Sequence, residues 1–238
     1  KNQQDKLLLA ERHEAWENVA RKLAHEIKNP LTPIQLVIDN LKSKYLKNVS
    51  SELKENYNKN LETINNQIKQ IENLVNEFSD FARMPKPLLK ENDIVEILNS
   101  NIQLLKKINN KISINFNTKD KIFLLSDYEQ LSRVFFNIIK NSIESIEEKL
   151  EKTSDFDKII NVEITKRREY IDIRFIDNGV GFSDKKYNEL VKPYFTTKKN
   201  GTGLGLSIVI KIINDHNGSI NFINHKKGAE VKISLPKK

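Results

Sequence analysis

Hydrophobic residues in the first third of the chain recur every three or four positions, which is the spacing of one helix face. One stripe precedes the polar turn Asn48–Ser51, where Ser50 or Ser51 is a candidate N-cap, and a second stripe follows it. The pattern predicts an antiparallel helical hairpin. Because two helices alone bury little surface, it also predicts a homodimer in which two hairpins form a four-helix bundle. The stripes contain Trp16, Val19, Leu23, Ile27, Leu31, Ile34, Ile38, Leu41 and Tyr45, then Leu53, Tyr57, Leu61, Ile64, Ile68, Ile71, Leu74, Val75, Phe78 and Phe81.

The pattern changes after Met84-Pro85-Lys86-Pro87, which ends the second helix and predicts a linker over residues 84–90. Residues 91–238 then alternate between strand and helix patterns, with Asp93 and Asp127 as candidate helix caps. They predict an α/β sandwich with helices on one face of a mixed sheet, so the whole chain is α+β. The predicted helices cover residues 94–108, 127–149 and 204–215, and the predicted strands cover 111–117, 121–125, 159–166, 170–176, 219–224 and 229–235.

A histidine lies in the first predicted helix, on the side away from the apolar stripe. At 100° per residue, His25 points about 160° from the adjacent stripe residues, and Asn29 shares its face one turn later. Glu26 lies beside the histidine, where a carboxylate can hold the imidazole tautomer and accept its proton during nucleophilic attack. Taken alone, a surface histidine beside a glutamate can also be a residue without any functional role. Pro30 and Pro33, however, each cost about 3 kcal/mol inside a helix, which indicates a compensating use.

The glycines are concentrated in one region: five of the seven fall between positions 179 and 205. The group Asp177–Gly181 follows a predicted strand, and the group Gly201–Gly205 opens a predicted helix, where backbone amides and the helix dipole favour phosphate. The segment Lys192–Lys198 lies between two glycine groups, as a mobile lid would require. The spacing matches neither a Walker A loop nor a dinucleotide-binding turn. A simple tight turn is the alternative interpretation of the second group.

The long helix predicted after Asp127 is apolar except for one polar strip. Amide oxygens one helical turn apart can ligate a Mg²⁺ ion that bridges nucleotide phosphates, and a lysine can neutralise phosphate charge. A solvated outer face is the alternative explanation. The strip consists of Arg133, Asn137, Lys140, Asn141 and Glu144.

The composition narrows the class of protein. The 238 residues include no cysteine, which excludes disulfides, thiol catalysis and cysteine-ligated zinc. The net charge of +8 comes from lysines scattered over the whole chain, so a solvated surface is favoured over a nucleic-acid-binding patch. No stretch approaches the roughly 18 consecutive apolar residues of a membrane span. The chain does not begin with Met, and we expect it to be a fragment of a longer protein. We expect this fragment itself to make no contact with a membrane.

Taken in order, these motifs resemble those of the sensor histidine kinases of two-component systems over nearly the whole chain, and among them most the nitrogen-regulation kinases of the NtrY type. The resemblance implies the histidine kinase/Hsp90-like ATPase fold for residues 91–238 and a dimerisation and phosphotransfer hairpin for residues 1–83. The segment from His25 to Pro30 is similar to the family's phosphoacceptor box, Asn137–Asn141 to its N box, Asp177–Gly181 to its first glycine box, Pro193–Lys198 to its F box, and Gly201–Gly205 to its second glycine box.

The resemblance also implies a reaction. The chain would transfer the γ-phosphate of ATP to His25, with Glu26 as base, and then to an aspartate on the receiver domain of a response regulator. Asn29 would orient water when the same hairpin dephosphorylates that regulator. The fragment would be the cytoplasmic region of a bacterial sensor protein anchored in the inner membrane.

The implied nucleotide site uses ATP and Mg²⁺. Asp177 would accept a hydrogen bond from the adenine amino group, Asn141 would bind Mg²⁺ with help from Asn137, and Lys140 would contact phosphate. Ser142 departs from the family's pattern, because many members have alanine there, and we expect its side chain to fit the same space. The other implied nucleotide-binding residues are Gly179, Gly181, Phe195, Thr196, Thr197, Lys198, Gly201, Thr202, Gly203, Leu204 and Gly205.

Three other functions share part of this pattern. An ATPase clamp of the Hsp90 or mismatch-repair type would explain the glycine groups and the polar strip but not the hairpin that carries His25. A non-catalytic scaffold that binds a response regulator would have no need of Asn141, Asp177 and the glycines. A member of the same family in which phosphatase activity dominates would keep every motif.

Overall fold

A computed structural model of the chain describes residues 23–24, 26–43, 51–118, 120–153, 156–182, 203–225 and 228–237. The described residues divide into two compact units, the first ending at Pro85 and the second beginning at Lys86. The first unit is helical and the second combines helices with strands. The predicted fold, a helical hairpin followed by an α/β sandwich, is therefore confirmed. Among the described residues, no helix is long and apolar enough to cross a membrane.

The first unit consists of helix α1, residues 26–43 with residues 23–24 also helical, and helix α2, Ser51–Ala82. Leu31 and Ile38 of α1 form a buried cluster with Leu61 and Ile68 of α2. The two residues from each helix are seven positions apart, as in helices that meet along a heptad seam. The packing between α1 and α2 thus uses one half of the predicted apolar stripes.

The other half of the stripes is exposed in the single chain. Ile27 and Ile34 of α1, and Ile64 and Ile71 of α2, retain between 40% and 46% of their accessible surface. These residues also recur at intervals of seven within each helix, so they form a second apolar face, which we call the second stripe. Pairing of two hairpins through this face remains a prediction.

The second unit contains, among its described residues, a five-stranded sheet in the order β2-β4-β5-β7-β6 and a two-stranded sheet of β1 and β3. β2 and β4 are parallel, and the other neighbouring pairs are antiparallel. Helix α4 packs on β4, β5, α3 and α5, and α5 packs on β6. The elements are β1 Lys90–Asp93, α3 Ile94–Ile108, β2 Ser113–Asn115, β3 Phe123–Ser126, α4 Tyr128–Leu150, β4 Ile159–Lys166, β5 Tyr170–Asp177, α5 Gly205–Asp215, β6 Ser219–His225 and β7 Gly228–Pro236.

The core of the second unit lies between α4 and one face of the sheet. The rings of Phe135 on α4 and Phe175 on β5 are 5.9 Å apart, and both side chains are fully buried. Side chains alternate along a strand, so Ile171, Ile173 and Asp177 lie on the same face of β5 as Phe175. The alternation therefore carries a carboxylate, at the end of the strand, onto the face that α4 covers.

Most elements begin and end within two residues of their predicted bounds. Asp93 and Asp127 cap α3 and α4 as predicted, accepting hydrogen bonds from the backbone N–H groups of Val95 and Gln130, each at 3.1 Å. β1 was not predicted, because its sequence, Lys-Glu-Asn-Asp, has no apolar residue. It exists because it pairs with β3 from Lys90 opposite Ser126 onward.

Candidate functional site

The carboxylate of Asp177 ends β5 beneath helix α4 and is only 7% exposed. It accepts hydrogen bonds from the backbone N–H of Gly179, at 2.9 Å, from the backbone N–H of Ala229 and from the hydroxyl of Ser142. Burial raises the pKa of Asp177, while these hydrogen bonds and the positive charge of Lys149 oppose that rise. A buried carboxylate with a raised pKa, held at a strand end by three donors, is typical of a functional site.

The turn after β5 lies directly against α4. The backbone N–H of Val180 donates to both the carbonyl oxygen of Ser145, at 3.3 Å, and its hydroxyl oxygen, at 3.1 Å. A Cβ atom at Gly179 would overlap the same serine side chain. Glycine is therefore required there, because it alone lets the turn approach the helix this closely.

The end of this turn is fixed to β6. Gly181 has a φ of 76°, and the next residue, Phe182, exchanges two hydrogen bonds with the side-chain amide of Asn224. Its N–H donates to Oδ1 at 2.9 Å, and its carbonyl accepts from Nδ2 at 2.6 Å. The ring of Phe182 also meets that of Phe222 edge to face at 5.7 Å. Asn224 therefore positions the start of the segment that leads to the predicted lid.

A loop before β4 supports the turn from another side. Asn178 accepts a hydrogen bond from the backbone N–H of Ile159 at 3.1 Å and donates to the carbonyl of Asp157. The ammonium of Lys149 donates to the carbonyl of Asn178 at 2.6 Å and lies 4.6 Å from the ring centre of Phe156. The position of the turn is thus set by contacts with α4, β6 and this loop.

The polar strip of α4 lies next to the strand end. Asn137 and Asn141 are half-buried, and Lys140 is exposed, with its ammonium 3.8 Å from the carboxylate of Glu144. Asn141 directly precedes Ser142, the residue whose hydroxyl reaches Asp177. The residues predicted to bind Mg²⁺ therefore lie on the same helix as the serine that contacts the predicted base-recognition carboxylate.

Helix α5 begins at Gly205, and the side chain of its N-cap residue, Leu204, makes no capping hydrogen bond. Leu204 is buried, and Gly203 has a φ of 72°, which favours glycine. His216, just after α5, accepts a hydrogen bond from the backbone N–H of Asp127, just before α4, at 3.0 Å. Since α5 also packs along α4, the two helices run in opposite directions, and the start of α5 lies beside the middle of α4. Uncapped amides at that position favour an anionic group.

The remaining predicted residues belong to the first unit or lie outside the described part of the chain. Glu26 and Asn29 belong to the first unit, where both are exposed on α1. Ser142, Lys149 and Asn224 contribute to the site but were not predicted to do so. The helix pattern did not distinguish Ser142, because the role of its hydroxyl depends on Asp177, which lies 35 positions further along the chain. The residues outside the described part are His25, Phe195, Thr196, Thr197, Lys198, Gly201 and Thr202.

Comparison with known proteins identifies two domains in the chain. Residues 15–87 match the His Kinase A (phospho-acceptor) domain, and residues 126–238 match the histidine kinase-, DNA gyrase B- and HSP90-like ATPase domain. The nitrogen regulation protein NtrY of Azorhizobium caulinodans is 37% identical over 231 residues, which cover 96% of this chain and 30% of that protein. The chain thus spans about a third of the length of this relative.

Two solved structures share the fold of most of the chain. Full-length ShkA in complex with AMPPNP gives a TM-score of 0.69 at 18% identity and covers 92% of this chain and 45% of its own. The histidine kinase ThkA in complex with the response regulator protein TrrA gives a TM-score of 0.65 at 23% identity, and the match covers 96% of this chain and 64% of the ThkA chain. At these identities the likeness concerns the fold.

Proposed function

Because the chain belongs to the sensor histidine kinases, with their phosphoacceptor domain followed by their ATPase domain, we propose that it is an autokinase acting on His25. The γ-phosphate of ATP passes to this histidine and then to an aspartate of a response regulator. The observation that supports the nucleotide half most strongly is the hydrogen bond between Ser142 of α4 and Asp177 of β5. It joins the glycine turn to the amide-bearing helix, as one wall of a nucleotide site requires.

In this proposal Asp177 recognises the adenine amino group, and Gly179 and Gly181 shape the surface against which the base packs. The uncapped amides at the start of α5 face the phosphates, because helix N-termini favour negative charge. Lys140 on α4 is exposed and supplies a positive charge. The further residues proposed to line the site are Phe195, Thr196, Thr197, Lys198, Gly201, Thr202, Gly203, Leu204 and Gly205.

The donor atoms on α4 fit a magnesium ion that arrives with the nucleotide. Mg²⁺ prefers oxygen ligands, keeps several waters and is commonly held by one or two protein groups together with substrate phosphates. The amide oxygens of Asn141 and Asn137 are such groups. No cluster of three or more histidine, cysteine, aspartate or glutamate side chains that could cage a metal occurs among the residues that the structure describes. When bound, the ion would neutralise charge on the transferred phosphoryl group.

The protein groups that act on the transferred phosphoryl belong to the first unit. The imidazole of His25 is the nucleophile, and the neighbouring Glu26 accepts its proton as the nitrogen–phosphorus bond forms and ADP leaves. Phosphoryl transfer needs little covalent assistance from a protein, so positioning and charge neutralisation supply most of the acceleration. Asn29 is exposed one turn further along and orients water for hydrolysis of the phosphorylated regulator.

We propose that the second stripe pairs two hairpins into a four-helix bundle, since its isoleucines are otherwise left in water. The receiver domain of a response regulator would dock on this bundle. The crystal structure of ThkA with TrrA supports such a partner, because it has the fold of this chain. The similarity to NtrY suggests a signal related to nitrogen supply. ATP is a cytoplasmic substrate, so this region would lie on the cytoplasmic side of a sensor anchored in the inner membrane.

The test follows phosphate labelled at the γ position of ATP. With Mg²⁺ present, label should appear on the protein and move to a receiver domain that is added afterwards. The matched variant Asn141→Ala should take up little label, while Asn115→Ala, remote on β2, should behave as wild type. An ATPase clamp would instead release labelled phosphate with none held on the protein, and the phosphoacceptor domain match argues against that alternative.

A further inference from the structure

The hydroxyl of Ser142 makes a contact that the alanine found in many sensor histidine kinases could not make. The side chain is 3% exposed and lies on α4 where the helix crosses the end of β5. Its hydroxyl donates to the carboxylate of Asp177. Ser145, one turn later on the same helix, bonds the backbone of Val180 instead. Ser142 thus holds the carboxylate, and Ser145 holds the turn.

The carboxylate of Asp177 has little acceptor capacity left. An ionised carboxylate offers about four lone-pair positions. Gly179, Ala229 and Ser142 each donate one hydrogen bond to it. The donors among the described residues therefore leave one acceptor position for a ligand, and it fits a single N–H donor.

We propose that Ser142 is a specificity-determining residue, whose hydroxyl keeps Asp177 an oriented hydrogen-bond acceptor and thereby selects adenine over guanine nucleotides. This inference rests on the proposed nucleotide-binding function. Adenine presents an exocyclic amine, a donor, where guanine presents the O6 carbonyl, an acceptor. An ionised carboxylate pairs with the first and repels the second. A protonated carboxyl, in contrast, can donate to O6.

The environment of Asp177 makes the hydroxyl important for this choice. Burial favours the protonated carboxyl and raises its pKa, and the donors Gly179, Ser142 and Ala229 act against that tendency. Lys149, at the end of α4, is the charged group that acts on it among the described residues. The residues paired with Asp177 in the sheet, Ile160 on β4 and Ala229 on β7, are both uncharged. Loss of the Ser142 hydroxyl removes one of few groups that favour the ionised form.

The test compares Ser142→Ala with Ser132→Ala as a matched loss of one hydroxyl on the same helix, at a serine that bonds the side chain of Asn101 on α3 and not the glycine turn. Dissociation constants of Mg·ATP and Mg·GTP are measured by calorimetry from about pH 5.5 to pH 8.5. We expect the preference of wild type for ATP to fall about tenfold in Ser142→Ala, the effect of one hydrogen bond to a charged group. Its ATP affinity should also decline at a higher pH than that of wild type. Ser132→Ala should keep both the ratio and the pH profile.

A second variant keeps the proposal testable if Ser142→Ala folds poorly. Asp177→Asn carries an amide that can donate at every pH, so it should lose the ATP preference with no pH dependence. An unchanged ratio and pH profile in folded Ser142→Ala would overturn the inference while leaving the proposed function intact. A retained preference in Asp177→Asn would overturn the inference together with the proposed role of Asp177 in adenine recognition. Wild type that binds neither nucleotide would refute the proposed function, and this inference with it.

Discussion

Arg174 of β5 and Glu230 of β7 form a bidentate ion pair on the face of the sheet opposite α4, with nitrogen–oxygen distances of 2.7 and 2.8 Å. The glutamate also lies 2.9 Å from Nε2 of His225, and the arginine lies 3.0 Å from Glu163. Glu230 is 2% exposed although none of the described helices covers it, because these side chains shield it. The face of the sheet opposite α4 is thus held by a charge network rather than by apolar packing.

This pair should make folding stability sensitive to acid. The hydrogen bonds from Arg174 lower the pKa of Glu230 from 4.5 to about 2, so its contribution is fully present above pH 4.5 and is lost as the pH falls towards 2. We expect Glu230→Gln to reduce the free energy of unfolding at neutral pH by about 1–2 kcal/mol. The free energy of unfolding of this variant should also fall less steeply than that of wild type as the pH is lowered. Denaturant titrations at several pH values measure both. Glu163→Gln, at the exposed end of the network, should change little; an equal loss there would contradict the assignment.

The buried carboxylate of the candidate site should reduce stability and support binding. Burial raises the pKa of Asp177 above its ordinary value of 3.8, so the ionised form costs folding free energy at neutral pH. Asp177→Asn should therefore unfold at the same or a higher temperature than wild type, while its affinity for ATP falls at least tenfold. Thermal unfolding without nucleotide and calorimetric titration with Mg·ATP give the two values. A large drop in unfolding temperature would mean that the charge stabilises the strand end instead.

The start of β7 should tolerate no side chain. Gly228 has a φ of 153°, and a Cβ atom there would overlap the carbonyl oxygen of Asp177. We expect Gly228→Ala to lower the free energy of unfolding by about 1–3 kcal/mol. Gly205→Ala is the control, because a Cβ at that position meets no atom of the described residues within 4 Å. Equal unfolding midpoints for the two variants would rule out this packing constraint.

The second stripe should determine association rather than hairpin folding. Ile64→Glu places a charge on a face that is exposed in the single chain, so the helix content should persist while the dimer dissociates. Light scattering coupled to size exclusion measures the mass, and circular dichroism measures the helix content. Asn66→Glu adds the same charge at an exposed polar position on the same helix and should leave the mass unchanged. A dimer that survives Ile64→Glu at micromolar concentration would place the interface elsewhere.

The sequence predicted those elements whose formation depends on residues that are close together in the chain. The caps at Asp93 and Asp127 were predicted because a carboxylate two or three residues before an amide satisfies the first turn of a helix. β4 and β5 were predicted because their apolar residues alternate over eight positions. The seam of the hairpin followed from its heptad spacing in the same way.

The features that sequence reasoning missed depend on residues far apart in the chain. β1 requires β3 as its partner, since its four residues carry no pattern of their own. Asn224 holds Phe182 across 42 positions, and its role appears only once β6 lies beside the glycine turn. Ser142 was expected merely to fill the space of an alanine, whereas the structure places its hydroxyl on Asp177. A single sequence contains no signal for such pairings.

The most direct test of His25 as the phosphoacceptor compares wild type with His25→Gln after incubation with Mg²⁺ and ATP labelled at its γ-phosphate. Both proteins should bind ATP with the same affinity, because the substitution lies outside the nucleotide-binding domain. We expect wild type to hold label that is released by acid and retained in base, as a phosphohistidine is, and His25→Gln to hold none. Equal labelling of the two proteins, or no labelling of wild type despite ATP binding, would contradict the proposed autokinase activity at His25.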